Sequence, residues 1–205
     1  VPNGVGDLRR VAAHQITTRF GLTEQGYLLL VGRLVPEKAA DLLIRAFRRL
    51  DTDLRLAIVG GSSFSDEYVK VLRAAAGDDP RIVFTGFAYG DLLAELYTNA
   101  AGFVQPSRLE GLPLTLLEAA AYGLPVVASD IAPHVELLES DAPGHRLFRD
   151  GDEEDLVRAL MRMLEEPRTE GLGAHLHGGR LRAAYSWDAA ARQVEKVYLG
   201  LVRKA

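Results

Sequence analysis

The sequence predicts an α/β domain with a doubly wound parallel sheet, and three observations carry that prediction. Short leucine-rich or β-branched runs alternate with longer helical patterns along the chain. The runs are continuously apolar, as strands covered on both faces must be. The segments between them place apolar residues at helical spacing, with charges opposite.

Tyr27–Val31 (YLLLV) reads as a buried strand ending at Gly32. Residues 39–50 put Leu42, Leu43, Ala46, Phe47 and Leu50 on one helical face and Arg45, Arg48 and Arg49 opposite. Residues 54–59 form the next strand, stopped by Gly60 and Gly61, and 66–76 a helix with Val69, Leu72 and Ala76 as its stripe. Residues 82–85 read as a strand, 91–100 as a helix and 102–104 as a short strand. Residues 113–122 form a helix with Pro113 in its first turn, where a missing N–H costs nothing. Residues 125–128 and, more weakly, 146–148 are strands; 153–164, 173–185 and 187–202 are helices. The stretch 165–173 reads as a linker, and the last helix places Ala190, Val194, Val197, Tyr198 and Leu201 on one side.

Composition narrows the function classes. With 205 residues, 48% hydrophobic and 25% charged, the chain suits one soluble α/β domain. A formal charge of −4 without a Lys/Arg run disfavours nucleic acid as a partner. The absence of cysteine excludes disulfides, thiolate metal sites and a Cys nucleophile, and fits a reducing compartment. No apolar segment has transmembrane length and no signal-peptide pattern is present. The expected location is cytoplasmic, with peripheral contact to a membrane as the variant. The chain opens on Val1 rather than Met, and a longer parent protein is expected.

In a doubly wound sheet the ligand sits beyond the carboxyl ends of the strands, which directs attention to the loops 32–38, 60–65, 86–90, 105–112 and 129–134. No G-x-G-x-x-G opens a helix and no Walker-type GxxxxGK[ST] is present, so the dinucleotide and P-loop classes lack their physical basis. The first loop carries two cations instead. Lys38 stands where a helix begins, and a positive charge there opposes the macrodipole unless an anion joins it. Arg33 follows a strand end, where guanidinium groups serve as bidentate phosphate ligands or as ordinary surface charges.

The sharpest constellation is Pro106-Ser107-Arg108-Leu109-Glu110-Gly111-Leu112-Pro113-Leu114-Thr115-Leu116-Leu117-Glu118-Ala119. Glu110 lies in a loop bounded by Pro and Gly. Glu118 is the only charged residue from Gly111 through Ser129, and a carboxylate on so apolar a helix needs donors. Ribose or sugar hydroxyls would serve, as would a backbone N–H or a nearby Arg.

The segment E-G-L-P-L-T-L-L-E resembles the Glu–seven residues–Glu signature of retaining glycosyltransferases of the group 1 family, which have the two-domain GT-B fold. The surrounding phrase, from Ala101 through Ser129, follows the same pattern. Gly32–Lys38 resembles the family's phosphate-contact loop, 83–87 its base-side strand and turn, Val1–Val5 the phrase where the chain enters the C-terminal domain, and Ser186-Trp187 with the last helix its closing helix. The likeness covers nearly the whole chain as the Rossmann-like C-terminal half of a GT-B enzyme. Residues 1–205 then form one donor-binding domain, with a lead-in over 1–20, a closing helix over 186–205 and an N-terminal acceptor domain elsewhere.

The resemblance implies metal-independent, retaining transfer from a nucleoside diphosphate sugar to an unknown acceptor, glycan or lipid among them, without a cofactor. Carried over by residue, Glu110 is the catalytic position that orients the sugar. Arg33, Lys38, Gly32 and the amides of Leu114 and Thr115 hold the diphosphate, Glu118 the ribose, and Gly86 and Phe87 flank the base. The isolated domain is expected to be inactive. The competing readings are a non-catalytic nucleotide or sugar-phosphate module and a GT-B epimerase or phosphorylase. Two departures from the pattern stand out: Ala39 replaces a common Gly, a small change in loop freedom, and 140–148 lacks a second glycine.

Other residues have plainer expectations. His175 and His177 point to different helix faces, against a metal pair. For His134, surface or loop packing is preferred to substrate contact. Trp187 and Tyr198 are expected as packing anchors, Arg180 and Arg182 as a solvated face, and 150–155 as a loop leading into an acidic first helical turn.

Overall fold

The computed structural model describes residues 3–6, 8–62, 66–138 and 144–202. Val1, Pro2, 63–65 and 140–143, on which parts of the sequence reading rest, lie outside the described residues. Six strands form one parallel sheet: β1 (Tyr27–Val31), β2 (Arg55–Val59), β3 (Ile82–Gly86), β4 (Gly102–Gln105), β5 (Val126–Ser129) and β6 (His145–Phe148). Their order, β3-β2-β1-β4-β5-β6, reverses direction between β1 and β4. The chain leaves β1 toward one edge and β4 toward the other, so a crevice forms at the carboxyl ends of these two strands.

Strand residues send alternate side chains to opposite faces, and both faces are covered. Leu28, Leu30, Leu56, Ile58, Val104 and Val127 meet α2 (Ala40–Arg48), α3 (Glu67–Ala76) and α7 (Glu153–Glu165). Leu29, Ala57, Val59, Phe103, Val126 and Ala128 meet α1 (Gln15–Phe20), α4 (Gly90–Asn99) and α5 (Leu114–Ala121). Leu28 and Leu29 are fully buried, each contributing about 1.5–3 kcal/mol. The acidic run begins α7 as expected: Asp152 caps it by accepting from the Asp155 N–H at 3.0 Å.

Four expectations need correction. The stretch 165–173 is no linker, because α8 starts at Pro167 and runs to Ala184. Proline is tolerated in a first turn, where Pro167 stands, and Gly178 further along lets this helix lie against α5. The 129–134 segment is not all loop, since α6 covers Ala132–Leu138 and buries His134 completely. Trp187 and Tyr198 are not anchors: on α9 (Trp187–Val202) they are 56% and 65% exposed, because the described residues offer that stripe nothing to pack on. Ala39 is more than a change in loop freedom, because its φ of 49° lies in the left-handed region, a strain of about 1–2 kcal/mol for a side chain with a Cβ.

The α5–α8 contact is close enough to test. A Cβ on Gly178 would stand 1.8 Å from the Ala120 carbonyl oxygen. Gly178→Ala is expected to lower stability by about 2 kcal/mol in urea denaturation, overpacking outrunning a gain of about 1 kcal/mol in helix propensity. An unchanged midpoint would show that the two helices separate freely.

Candidate functional site

The loops after β1 and β4 meet above the crevice. The Arg108 N–H donates to the Glu37 carbonyl at 2.9 Å, tying one loop to the other. Lys38 closes a single 3₁₀ turn (Pro36–Lys38) just before α2, and its ammonium donates to both oxygens of Glu110, at 2.6 and 2.8 Å. The charge that stands awkwardly at a helix start is therefore matched by a carboxylate 72 residues away. Burial resists ionisation of Glu110, but Lys38 and the Gln105 amide, donating at 2.6 Å, outweigh it and hold the carboxyl below its ordinary range.

Further hydrogen bonds lead from this pair to the second glutamate. Gln105 Oε1 accepts from the Thr115 hydroxyl at 3.3 Å, at the start of α5. The Tyr97 hydroxyl lies 3.0 Å from Glu118 Oε2 and 3.3 Å from the Thr115 carbonyl. Burial, and then the neighbouring Glu118 carboxylate, push the Tyr97 phenol well up, so it stays a donor. Of the partners weighed for Glu118, neither backbone nor arginine is the one found. Glu118 borders a hollow of about 280 Å³ whose other walls include Tyr97, Tyr122, Leu93, Arg9 and Asp91.

The remaining predicted positions surround this network. Arg33 is exposed, with Glu37 at 4.0 Å, and does not join it. Gly32, Gly60 and Gly86 abut at the ends of β1, β2 and β3: the Gly60 N–H donates to the Gly86 carbonyl at 2.9 Å, and a Cβ on Gly60 would stand 1.9 Å from the Gly32 oxygen. Phe87 covers Gly61 and stacks on Tyr89, with ring planes 10° apart. Leu114 and Thr115 open α5, whose first N–H groups have no acceptor within the helix. Sequence reading missed Gln105 and Tyr97. A polar residue ending a buried strand was the available signal for Gln105; no local signal marks Tyr97. Among the described residues no group of three His, Asp or Glu side chains gathers as metal ligands, and His177 turns inward to His145 while His175 stays exposed.

Glu118 yields a pH-resolved prediction. Burial raises its pKa, with Tyr97 opposing in part. A carboxyl raised on folding contributes stability below its unfolded pKa and loses it as pH rises through the folded value, so at neutral pH the ionised group is a cost. Glu118→Gln is expected to raise the melting temperature of the ligand-free protein at pH 7, with the gain vanishing near pH 4. Equal gains at both pH values would refute the assignment.

A Rossmann-like α/β domain with a cation–carboxylate network at its switch point is the class that fold and geometry define. Residues 25–166 match the family model described as glycosyl transferases group 1. The chain is 34% identical over 207 residues to a D-inositol 3-phosphate glycosyltransferase of Thermomonospora curvata, covering 94% of this chain and 47% of that protein. It is 31% identical over 179 residues to a sulfoquinovosyl transferase of Arabidopsis thaliana, covering 85% and 33%. Sucrose-phosphate synthase from Thermosynechococcus elongatus superposes with a TM-score of 0.82 at 26% identity, over 96% of this chain and 50% of that one. Anabaena HepE, solved in complex with UDP, gives the same score at 20% identity over 91% and 52%, a likeness of fold. The chain belongs to the group 1 glycosyl transferase family, and its fold is that of the Rossmann-like half of GT-B glycosyltransferases. It spans about half or less of the length of these relatives. No helix among the described residues is long and apolar enough to cross a membrane.

Proposed function

We propose that this domain binds a nucleoside diphosphate sugar at the crevice between β1 and β4 and serves retaining, metal-independent glycosyl transfer, with acceptor contacts supplied by an N-terminal domain. The observation that carries the reading is the Lys38–Glu110 pair at the switch point, linked through Gln105 and Thr115 to Glu118.

An ammonium has three donors. Lys38 gives two directions to Glu110, which leaves one for a phosphate oxygen. Arg33 can swing in as a second cation, and the opening N–H groups of α5 at Leu114 and Thr115 add a helix terminus. Negative charge grows on the departing diphosphate during transfer, and stabilising it is the main electrostatic task. These groups supply the positive charge there without a bound cation. Glu110, kept ionised, accepts from sugar hydroxyls, and Glu118 accepts from the ribose at the edge of its hollow. The base lies along Gly86 and Phe87. Coupling one ammonium to both the phosphate and the Glu110 carboxylate that faces the sugar makes donor orientation depend on the intact diphosphate.

Calorimetric titration of UDP, GDP and ADP and their glucose conjugates tests the reading. One nucleotide is expected to bind, and Glu118→Ala to weaken it about tenfold to a hundredfold, the loss of charge-assisted hydrogen bonds worth about 1.5–3 kcal/mol. Binding indifferent to both Glu118→Ala and Lys38→Ala would remove the site from this crevice. The domain alone is expected to turn over no donor with any acceptor.

A further inference from the structure

The structure assigns a task to His134, which neither the glutamate signature nor the phosphate loop involves. We infer that His134 is a positioning residue that sets the loop carrying Glu110, and through it recognition of the transferred sugar. The inference rests on the reading of Glu110 as the sugar-orienting carboxylate.

His134 lies in the first turn of α6, fully buried. Its Nδ1 faces the Ser129 carbonyl oxygen at 2.9 Å and the Ser129 hydroxyl at 3.1 Å. A carbonyl can only accept, so Nδ1 carries the proton, and burial keeps the ring from gaining a second. A protonated Nδ1 cannot accept from the Ser129 hydroxyl. That hydroxyl is therefore directed to its other neighbour, the Ser107 carbonyl, to which it donates.

The Ser107 carbonyl needs this donor. β4 ends at Gln105, so Ser107 stands beyond the ladder, yet it is 1% exposed. A buried carbonyl without a strand partner must be satisfied by a side chain, and an unsatisfied one is costly. Three residues later the same loop presents Glu110. The Ser107 hydroxyl lies near enough to Glu110 to favour its ionised form without making an aligned hydrogen bond. Among the described residues His134 Nε2 is buried without a hydrogen-bond partner, so the hydrogen bonds seen on the ring are those of Nδ1. Thus the imidazole tautomer sets the hydroxyl, the hydroxyl sets the Ser107 carbonyl, and that carbonyl sets the loop beneath Glu110.

The test uses the tightest binder among UDP, GDP and ADP, with its glucose conjugate, titrated into the protein. In His134→Phe the affinity for the nucleotide sugar is expected to fall tenfold or more while that for the nucleotide changes less than twofold. His134→Asn, whose amide N–H can replace Nδ1–H, is expected to restore most of the difference. Should His134→Phe not fold, Ser129→Ala is expected to show the same selective loss, about threefold. Equal loss for both ligands, no loss for either, or failure of Asn to rescue would overturn the assignment. Lys38→Ala and Glu110→Ala serve as controls: if neither alters either ligand, the crevice reading itself fails, separately from the role of His134.

Discussion

Lys38→Ala is expected to weaken nucleoside diphosphate binding by tenfold to a hundredfold and to destabilise the ligand-free domain by about 2–3 kcal/mol. The first effect is the loss of one charge-assisted contact to phosphate, worth about 1.5–3 kcal/mol. The second follows because Glu110, its side chain 7% exposed, would keep Gln105 as its one aligned partner among the described residues. Breaking a buried ion pair from one side costs about 3–5 kcal/mol, and the 20% exposure of Lys38 reduces that here. The pH dependence has a definite sign. Folding lowers the Glu110 pKa, so the stability of the pair is present above the unfolded pKa and lost as pH falls through the folded one. The gap between wild type and Lys38→Ala is therefore expected to be full at pH 7 and to close toward pH 3. Urea midpoints across that range check it; a gap that widens in acid would contradict the pairing. If the domain serves glycosyl transfer as proposed, the same change is expected to reduce turnover about a hundredfold to a thousandfold, the scale of losing one preorganised electrostatic group.

Glu110→Ala is expected to separate sugar from nucleotide. If the carboxylate accepts from two sugar hydroxyls, removing it costs about 3–6 kcal/mol toward the transition state, roughly a hundredfold to ten-thousandfold in the rate of the proposed transfer. Nucleotide affinity should hold or rise, because the freed Lys38 ammonium can then give more of its donors to phosphate. A matched loss of UDP and UDP-glucose binding would mean that Glu110 acts only as a prop for Lys38. The double substitution sharpens this, since two members of one pair are expected to be non-additive in stability.

Much of the fold was legible because periodicity is local. The YLLLV run of β1 and the arginine-backed stripe of α2 declare themselves without reference to the rest of the chain. The misread places are those where a partner decides. The stretch 165–173 looks like a linker until the whole of α8 is laid along α5, where Gly178 sits against the Ala120 carbonyl. Trp187 and Tyr198 have the composition of core residues, yet none of the described residues covers them. His134 looked like a loop residue because a seven-residue helix with Pro133 in its first turn leaves little periodic signal.

The candidate site divides the same way. Arg33, Lys38, Glu110 and Glu118 could be picked out as charges at strand ends or on an apolar helix, and the ordered motifs named the family. Gln105, Tyr97 and the chain from His134 to Ser107 could not, since a hydrogen-bond partner is set by where strands lie side by side. By itself the sequence determined the alternation of strands and helices and the parallel class of the sheet, because each depends on residue spacing within one element. Only the tertiary structure decided that Lys38 meets Glu110, that Tyr97 serves Glu118 and that the loops after β1 and β4 are neighbours. That outcome follows from the β3-β2-β1-β4-β5-β6 order, a choice made by packing whole faces against each other, which no short stretch of residues encodes.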